Sequence, residues 1–69
     1  MMAERKARRT IVQDETDNTF LVHTRWDYKS HEWVCTIEDS MGGFISEYTR
    51  PTGPDKLHND TIAIVKGAR

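Results

Sequence analysis

Alternation of apolar and polar side chains over residues 19–50 is the feature that most constrains the fold of this chain. Three runs in this region alternate with a period of two and are rich in β-branched and aromatic residues, a pattern typical of half-buried β-strands. The runs lie at residues 19–27, 31–38 and 44–50, and polar or glycine-containing segments separate them. The pattern predicts three antiparallel strands whose apolar side chains share one face.

The alternation also predicts a register, since a slip of one residue turns every side chain of a strand to the other face. The register that keeps similar side chains together has three rows: Val22–Ile37–Phe44, Thr24–Cys35–Ser46 and Trp26–Trp33–Tyr48. The opposite face is expected to be solvated, because its residues include Arg25, Glu32, Glu38 and Glu47.

The segments on either side of this region are less regular. Residues 10–13 are predicted to form a short first strand, and Pro51 stops the fourth strand because proline donates no hydrogen bond to a sheet. Residues 61–66 contain three β-branched aliphatic residues, which favours a fifth strand. The alternative is a helix, since Leu57, Thr61 and Val65 are spaced helically and Pro54-Asp55 is a typical helix start.

Five strands in a chain of 69 residues indicate an all-β fold. We expect a small five-stranded antiparallel barrel or a strongly bent sheet, similar to an SH3 barrel, because closure removes exposed sheet edges. The alternative is a four-stranded antiparallel sheet with a C-terminal helix on its apolar face. The expected organisation is a flexible basic arm at residues 1–9 and a single small β domain at residues 10–69.

Size and composition favour a protein without catalytic activity. With 69 residues, of which 36% are hydrophobic, one core is barely sufficient, and little remains to enclose an active-site pocket. We therefore expect neither an enzyme nor a bound cofactor. The single cysteine excludes an internal disulfide, and no apolar run is long enough for a membrane span or a signal peptide. A cytoplasmic location is expected.

Metal binding and nucleophilic catalysis are not favoured by the spacing of the candidate residues. These residues are His23, His31, Cys35 and His58, and no C-x2-C or H-x3-H pair occurs among them. Cys35 lies in the middle of a predicted strand among apolar neighbours, which suits a buried inert thiol. The three histidines are expected at the surface, and no metal site is predicted.

Aromatic residues provide the most prominent candidate binding surface. Large aromatic side chains dominate burial in small domains, so the row Trp26–Trp33–Tyr48 is a candidate core element. The alternative is an exposed platform, extended by Tyr28 and His31, that stacks on bases or anchors a protein partner. Asp39 is expected to fix a hairpin turn through its side-chain oxygens and to join an acidic rim with Asp14, Glu15, Asp17 and Glu38.

Charge is distributed unevenly, and this leads to two functional hypotheses. Four basic residues and one acidic residue give residues 1–9 a charge of +3, which leaves −4 for the remainder of a chain whose net charge is −1. The first hypothesis is a small regulator or inhibitor that binds a larger protein through an aromatic and acidic surface: Trp26, Tyr28, Trp33, Tyr48 and Asp39. The alternative is a nucleic-acid-binding barrel that combines the aromatic platform with basic residues: Arg5, Lys6, Arg8, Arg9, Arg25, Lys29 and Arg50.

An unpaired sheet edge also makes a homo-oligomer a candidate state. An oligomer interface would supply a cavity that the monomer lacks, so a ligand-sequestering protein or an enzyme built at such an interface forms a third class. Sedimentation would separate this class from the first two.

Overall fold

The computed structural model describes residues 6–67 and contains one open antiparallel sheet and one helix. The elements are β1 (Arg8–Gln13), β2 (Thr19–Asp27), β3 (Glu32–Asp39), β4 (Phe44–Arg50) and α1 (Pro54–Val65). Strand order in the sheet follows chain order, from β1 to β4. The alternative fold, a four-stranded sheet with a C-terminal helix, is therefore confirmed. The five-stranded barrel is wrong, because the sheet does not close and its last segment is helical.

Helix α1 replaces the strand predicted over residues 61–66. It begins at Pro54, whose missing N–H suits the first helical turn, after Gly53 in the left-handed conformation with φ 74°. Leu57, His58 and Thr61 are buried on one side of it. The side of α1 that carries these residues covers the apolar face of the sheet. The burial that results outweighs the preference of Ile62, Ile64 and Val65 for strands.

The predicted register of β2 and β3 is confirmed. Trp26 lies opposite Trp33, and the pairs Thr24–Cys35 and Val22–Ile37 follow. The four-residue loop of this hairpin closes without a glycine because His31 adopts the left-handed conformation, with φ 56°. Its N–H donates to the carbonyl oxygen of Asp27 at 2.9 Å.

The predicted register of β3 and β4 is wrong by two residues. Cys35 lies opposite Tyr48 instead of Ser46, and Trp33 lies opposite Arg50 instead of Tyr48. The physical reason is a register shift between Ile37 and Glu38, which brings Phe44 opposite Glu38. Phe44 is 65% exposed and does not extend the buried row formed by Val22 and Ile37.

The core lies between the sheet and α1. Its buried members are Val12, Val22, Cys35 and Leu57, and Trp33, Ile62 and Val65 pack against them. Each strand from β1 to β3 and the helix contributes at least one of these residues, so the core joins the elements into one unit. Within residues 6–67, no helix has the length and apolar character needed to cross a membrane.

Strand β1 begins two residues earlier than predicted. Arg8 lies opposite Thr24 and Arg9 opposite His23, so the strand includes the last two residues of the predicted flexible arm. The Arg8 guanidinium forms an ion pair with the carboxylate of Asp55 in α1. Residues 1–5 of the predicted arm, including Arg5, lie outside the described residues.

Candidate functional site

The topology separates the turns of the sheet into two groups. Because consecutive strands are antiparallel neighbours, the β2–β3 hairpin lies at one end of the sheet, and the β1–β2 and β3–β4 turns lie at the other. The β2–β3 hairpin and the adjoining strand ends carry Trp26, Tyr28, His31 and Trp33, which we call the aromatic end. The other turns and the adjoining end of β3 carry the carboxylates Asp14, Glu15, Asp17, Glu38 and Asp39, which we call the acidic end.

Trp26 is the centre of the aromatic end. Its ring lies 5.4 Å from that of Trp33, 6.4 Å from that of Tyr28 and 6.5 Å from that of His31, measured between centroids. All three pairs are edge-to-face, the arrangement favoured by the charge distribution of aromatic rings. Such contacts between Trp and Tyr rings are typically worth about 0.5–1.5 kcal/mol beyond burial. The cluster is therefore held by its own contacts as well as by the hairpin.

The aromatic end is both a core element and a surface. Trp33 packs against the buried core cluster, while Trp26 and Trp33 are each half-buried. Tyr28 is 67% exposed and His31 is exposed beside it. Trp33 is thus the part of the cluster that belongs to the core, and Tyr28 and His31 are the part that faces solvent.

Tyr48 does not belong to the aromatic end, contrary to the predicted row. It lies opposite Cys35 in the middle of β4. Its side chain lines a groove of about 210 Å³ between β4 and α1, together with Ile45 and Ile64. The two-residue error in the predicted register accounts for this difference.

The β2–β3 hairpin is fixed by Asp27. Its Oδ1 accepts a hydrogen bond from the backbone N–H of Lys29 at 2.9 Å. This bond, with further bonds from Ser30, lowers the pKa of Asp27 below the ordinary value of 3.8. Asp27 is consequently a charged turn residue that holds Tyr28 and Lys29 in place, and it is unsuited to proton transfer near neutral pH.

The acidic end is distinct from the aromatic end, so the predicted aromatic and acidic surface consists of two surfaces. Nine residues of β2 separate the turns, a distance of roughly 25–30 Å at the usual rise along a strand. Asp39 has the predicted turn role, because its Oδ1 accepts bonds from the N–H groups of Met41 at 2.9 Å and Gly43 at 2.7 Å.

Asp14 holds the other turn of the acidic end. Its Oδ1 accepts hydrogen bonds from the backbone and hydroxyl of Thr16, both at 2.9 Å, and from the backbone of Asn18 at 3.0 Å. Desolvation raises the pKa of Asp14, but these bonds outweigh it and leave the pKa below its ordinary value. Asp14 therefore remains charged at neutral pH.

Basic residues collect near the aromatic end. Arg25 is adjacent to Trp26 in β2, Lys29 lies in the hairpin, and Arg50 lies opposite Trp33. Arg8 and Arg9 are the first residues of β1 and pair with the half of β2 that leads to Trp26. Lys6 precedes them and is exposed. Asp27 and Glu32 are the carboxylates paired across the hairpin, so the local charge is mixed with an excess of cations.

A buried polar cluster lies beneath α1, and the sequence did not reveal it. His58 is only 5% exposed, so the prediction of a surface histidine is wrong for this residue. Its Nε2 lies 2.8 Å from the hydroxyl of Thr10 and its Nδ1 lies 2.6 Å from that of Thr24, which also donates to Cys35 Sγ at 3.0 Å. Both ring nitrogens have partners, which identifies the cluster as structural.

The candidate metal ligands do not converge in the described part of the chain. His23 faces away from α1, His31 lies in the hairpin, and Cys35 and His58 are interior. Among residues 6–67, no group of three or more histidine, cysteine, aspartate or glutamate side chains is arranged to hold a metal ion.

The chain shows no match to a protein-family model, to a characterised protein or to a solved structure. The site must therefore be interpreted from its own geometry. The aromatic end offers rigid, partly exposed rings with charged residues around them. Such a surface is suited to binding.

Proposed function

We propose that this chain is a non-catalytic interaction protein that binds a larger protein partner through its aromatic end. The supporting observation is the Trp26 cluster, in which Trp33 is anchored in the core while Tyr28 is 67% exposed. Tyrosine and tryptophan are the side chains most often found to dominate binding energy at interfaces. Rings that are already fixed lose little conformational entropy when a partner binds.

The charges at this end define the kind of partner surface. Lys29 is exposed in the hairpin beside Tyr28, and Arg25 is exposed on the other face of β2 at the same end of the sheet. A complementary partner would offer an apolar pocket for Tyr28 and the outer edge of Trp26, with carboxylates at its rim. The acidic end is about the length of β2 away, so in this proposal it remains outside the contact.

Single-stranded nucleic acid is a second candidate ligand, and one observation favours it. The cations Arg25, Lys29 and Arg50 share the aromatic end, whereas the carboxylates of the acidic end lie at the opposite turns. Base stacking on aromatic side chains contributes about 1–3 kcal/mol per base, and phosphate contacts by Lys and Arg add a salt-dependent term. This candidate requires binding that weakens as salt rises.

Affinity capture with a matched pair of tyrosine variants tests the proposal. Tyr28→Ala removes an exposed ring of the aromatic end, while Tyr48→Ala removes a partly exposed ring elsewhere on the molecule. Wild-type protein and both variants would be used to capture partners from a lysate of the native cells, with and without nuclease. Thermal unfolding would establish that both variants fold.

The two candidates give different outcomes. A partner that resists nuclease, is lost with Tyr28→Ala and is kept with Tyr48→Ala supports the protein interaction. A capture that nuclease abolishes supports nucleic acid, and fluorescence anisotropy with a single-stranded oligonucleotide should then show weaker binding at higher salt. Equal capture by wild type and Tyr28→Ala would contradict both candidates.

A further inference from the structure

The sheet has a second face that points away from α1, which we call the open face. Among residues 6–67, no element packs over it. Two of its rows cross all four strands: Arg9–His23–Thr36–Glu47 and Ile11–Leu21–Glu38–Phe44. These rows carry both apolar and charged side chains.

The exposed apolar residues of the two rows lie at the two edges of one row. Ile11 in β1 is 72% exposed and Phe44 in β4 is 65% exposed. Beside Ile11 and Leu21 is a groove of about 290 Å³. The groove is also lined by Glu38, Asp39 and Gly42, so it reaches from β1 across the sheet to the β3–β4 turn. Its part beside Ile11 is open to a ring from a second copy.

The charged residues of the neighbouring row are also arranged asymmetrically. Arg9 lies in β1 and Glu47 lies in β4, and both are exposed. Burial lowers the pKa of His23 between them, the charges of Arg9 and Arg25 lower it further, and Glu38 raises it. The strand pairing places Arg9, Arg25 and Glu38 around His23 on the same part of the open face.

We propose that the open face is the interface of a homodimer, in which two copies pack face to face about a two-fold axis parallel to the strands. This operation sets β1 of one copy over β4 of the other. Arg9 then meets Glu47 of the second copy, and Phe44 of the second copy meets the groove beside Ile11. Each contact occurs twice, as an isologous interface requires.

Charge complementarity selects this axis. A two-fold axis across the strands would set β1 over β1 and β4 over β4. It would bring the two Arg9 side chains near each other and likewise the two Glu47 side chains, and like charges at an interface are unfavourable. The axis parallel to the strands pairs opposite charges at both edges.

The area of the open face sets the expected affinity of the dimer. Four strands about 4.8 Å apart and about six residues long cover roughly 19 by 20 Å. This projected area, about 380 Å² per copy, is about half of the ~800 Å² per partner of a standard interface, so we expect weak association in the upper micromolar range. Because the axis keeps the strand direction, both aromatic ends lie at the same end of the dimer.

A charge-swap experiment on the full chain tests the proposal. Sedimentation equilibrium over a range of micromolar concentrations should show a monomer–dimer equilibrium for the wild type. Arg9→Glu and Glu47→Arg should each weaken dimerisation about tenfold or more, because each places two like charges together twice. An equimolar mixture of the two variants should recover dimers, since the carboxylate introduced in one chain would meet the guanidinium introduced in the other.

Two further variants separate this interface from other contacts. Lys29→Glu makes the same charge change in the hairpin, away from the open face, and should leave dimerisation unchanged. Phe44→Ala should weaken dimerisation without unfolding the chain, because Phe44 is exposed. A wild type that stays monomeric throughout, or charge variants whose mixture shows no recovery, would overturn the proposal. Pairing of an edge strand with its own copy sets position 9 against position 9 or position 47 against position 47, so each single variant would stay as dimeric as the wild type, and that result would overturn the proposal as well.

Discussion

Nδ1 of His58 lies 2.6 Å from the hydroxyl oxygen of Thr24, between α1 and the sheet. The other ring nitrogen lies 2.8 Å from the hydroxyl of Thr10. One imidazole therefore connects the helix to β1 and β2 by hydrogen bonds, while Leu57 beside it packs into the core. Since both nitrogens are buried, their partners are needed to offset the loss of contact with water.

Replacing Thr24 by valine should destabilise the fold by about 1–3 kcal/mol, because a buried ring nitrogen would lose its partner. Thr36→Val is the matched control. Thr36 is also buried, but on the open face, and its hydroxyl makes only a long bond of 3.5 Å to the carbonyl oxygen of His23. Urea unfolding of both variants measures the difference, and equal losses would contradict the assigned role of Thr24.

Stability should decrease as the pH falls below about 6.5. Desolvation, followed by Arg8 and His23, holds the pKa of His58 below its ordinary value of 6.5. The unfolded chain then binds more protons than the folded chain, so unfolding becomes easier as pH falls from the unfolded pKa towards the folded pKa. The pKa of His23 is lowered as well, so it adds in the same direction.

The measurement for this effect is the free energy of unfolding between neutral pH and pH about 5. His23→Gln should reduce the pH dependence only in part, since His58 remains. Asp14 and Asp27 titrate below their ordinary value of 3.8 and do not contribute in this window. Stability that is constant over the window would show that the interior histidine is not desolvated.

Leu57→Ala should destabilise the fold by about 2–5 kcal/mol, as is typical of a leucine truncated in a core. Ile64→Ala in the same helix should change stability by about 0.5 kcal/mol, since surface substitutions have small effects. Ile64 is 48% exposed, whereas Leu57 belongs to the core cluster. Thermal unfolding of both variants checks the helical assignment, because comparable losses at both positions would disagree with the observed face of α1.

Asp39→Ala should cost about 1 kcal/mol, since the N–H groups of Met41 and Gly43 lose their shared acceptor in the β3–β4 turn. Asp39→Asn retains a side-chain oxygen at the same place and should lose less. Chemical unfolding compares the two variants. A smaller loss for alanine than for asparagine would indicate that the carboxylate is not holding the turn.

The β2–β3 hairpin could be predicted because several constraints agree on it. Trp26, Thr24 and Val22 alternate in phase with their partners, and the polar loop has the length that this register needs. The β3–β4 register could not be predicted in the same way. A bulge near Ile37 shifts the pairing, and nothing in the alternation of residues 44–50 marks it.

The C-terminal helix and the buried cluster depend on tertiary contacts. Residues 61–66 have local preferences for a strand, but Leu57 and Thr61 are buried only when the segment coils over the sheet. His58 is polar, and its burial follows from hydroxyl groups contributed by β1 and β2. The aromatic residues near the hairpin were identified from the sequence, whereas their separation from the carboxylates required the strand order.

The two edge strands of the open sheet carry features that oppose uncontrolled aggregation. An edge strand offers unpaired backbone groups that can template the addition of other chains, and Phe44 and Ile45 in β4 would favour such growth. The register shift in β4 interrupts the regular spacing that a fibril needs, and Arg8 and Arg9 place charge on the edge at β1. The irregular pairing that defeats prediction of this hairpin is thus also a feature of the kind that discourages edge-to-edge growth of a sheet.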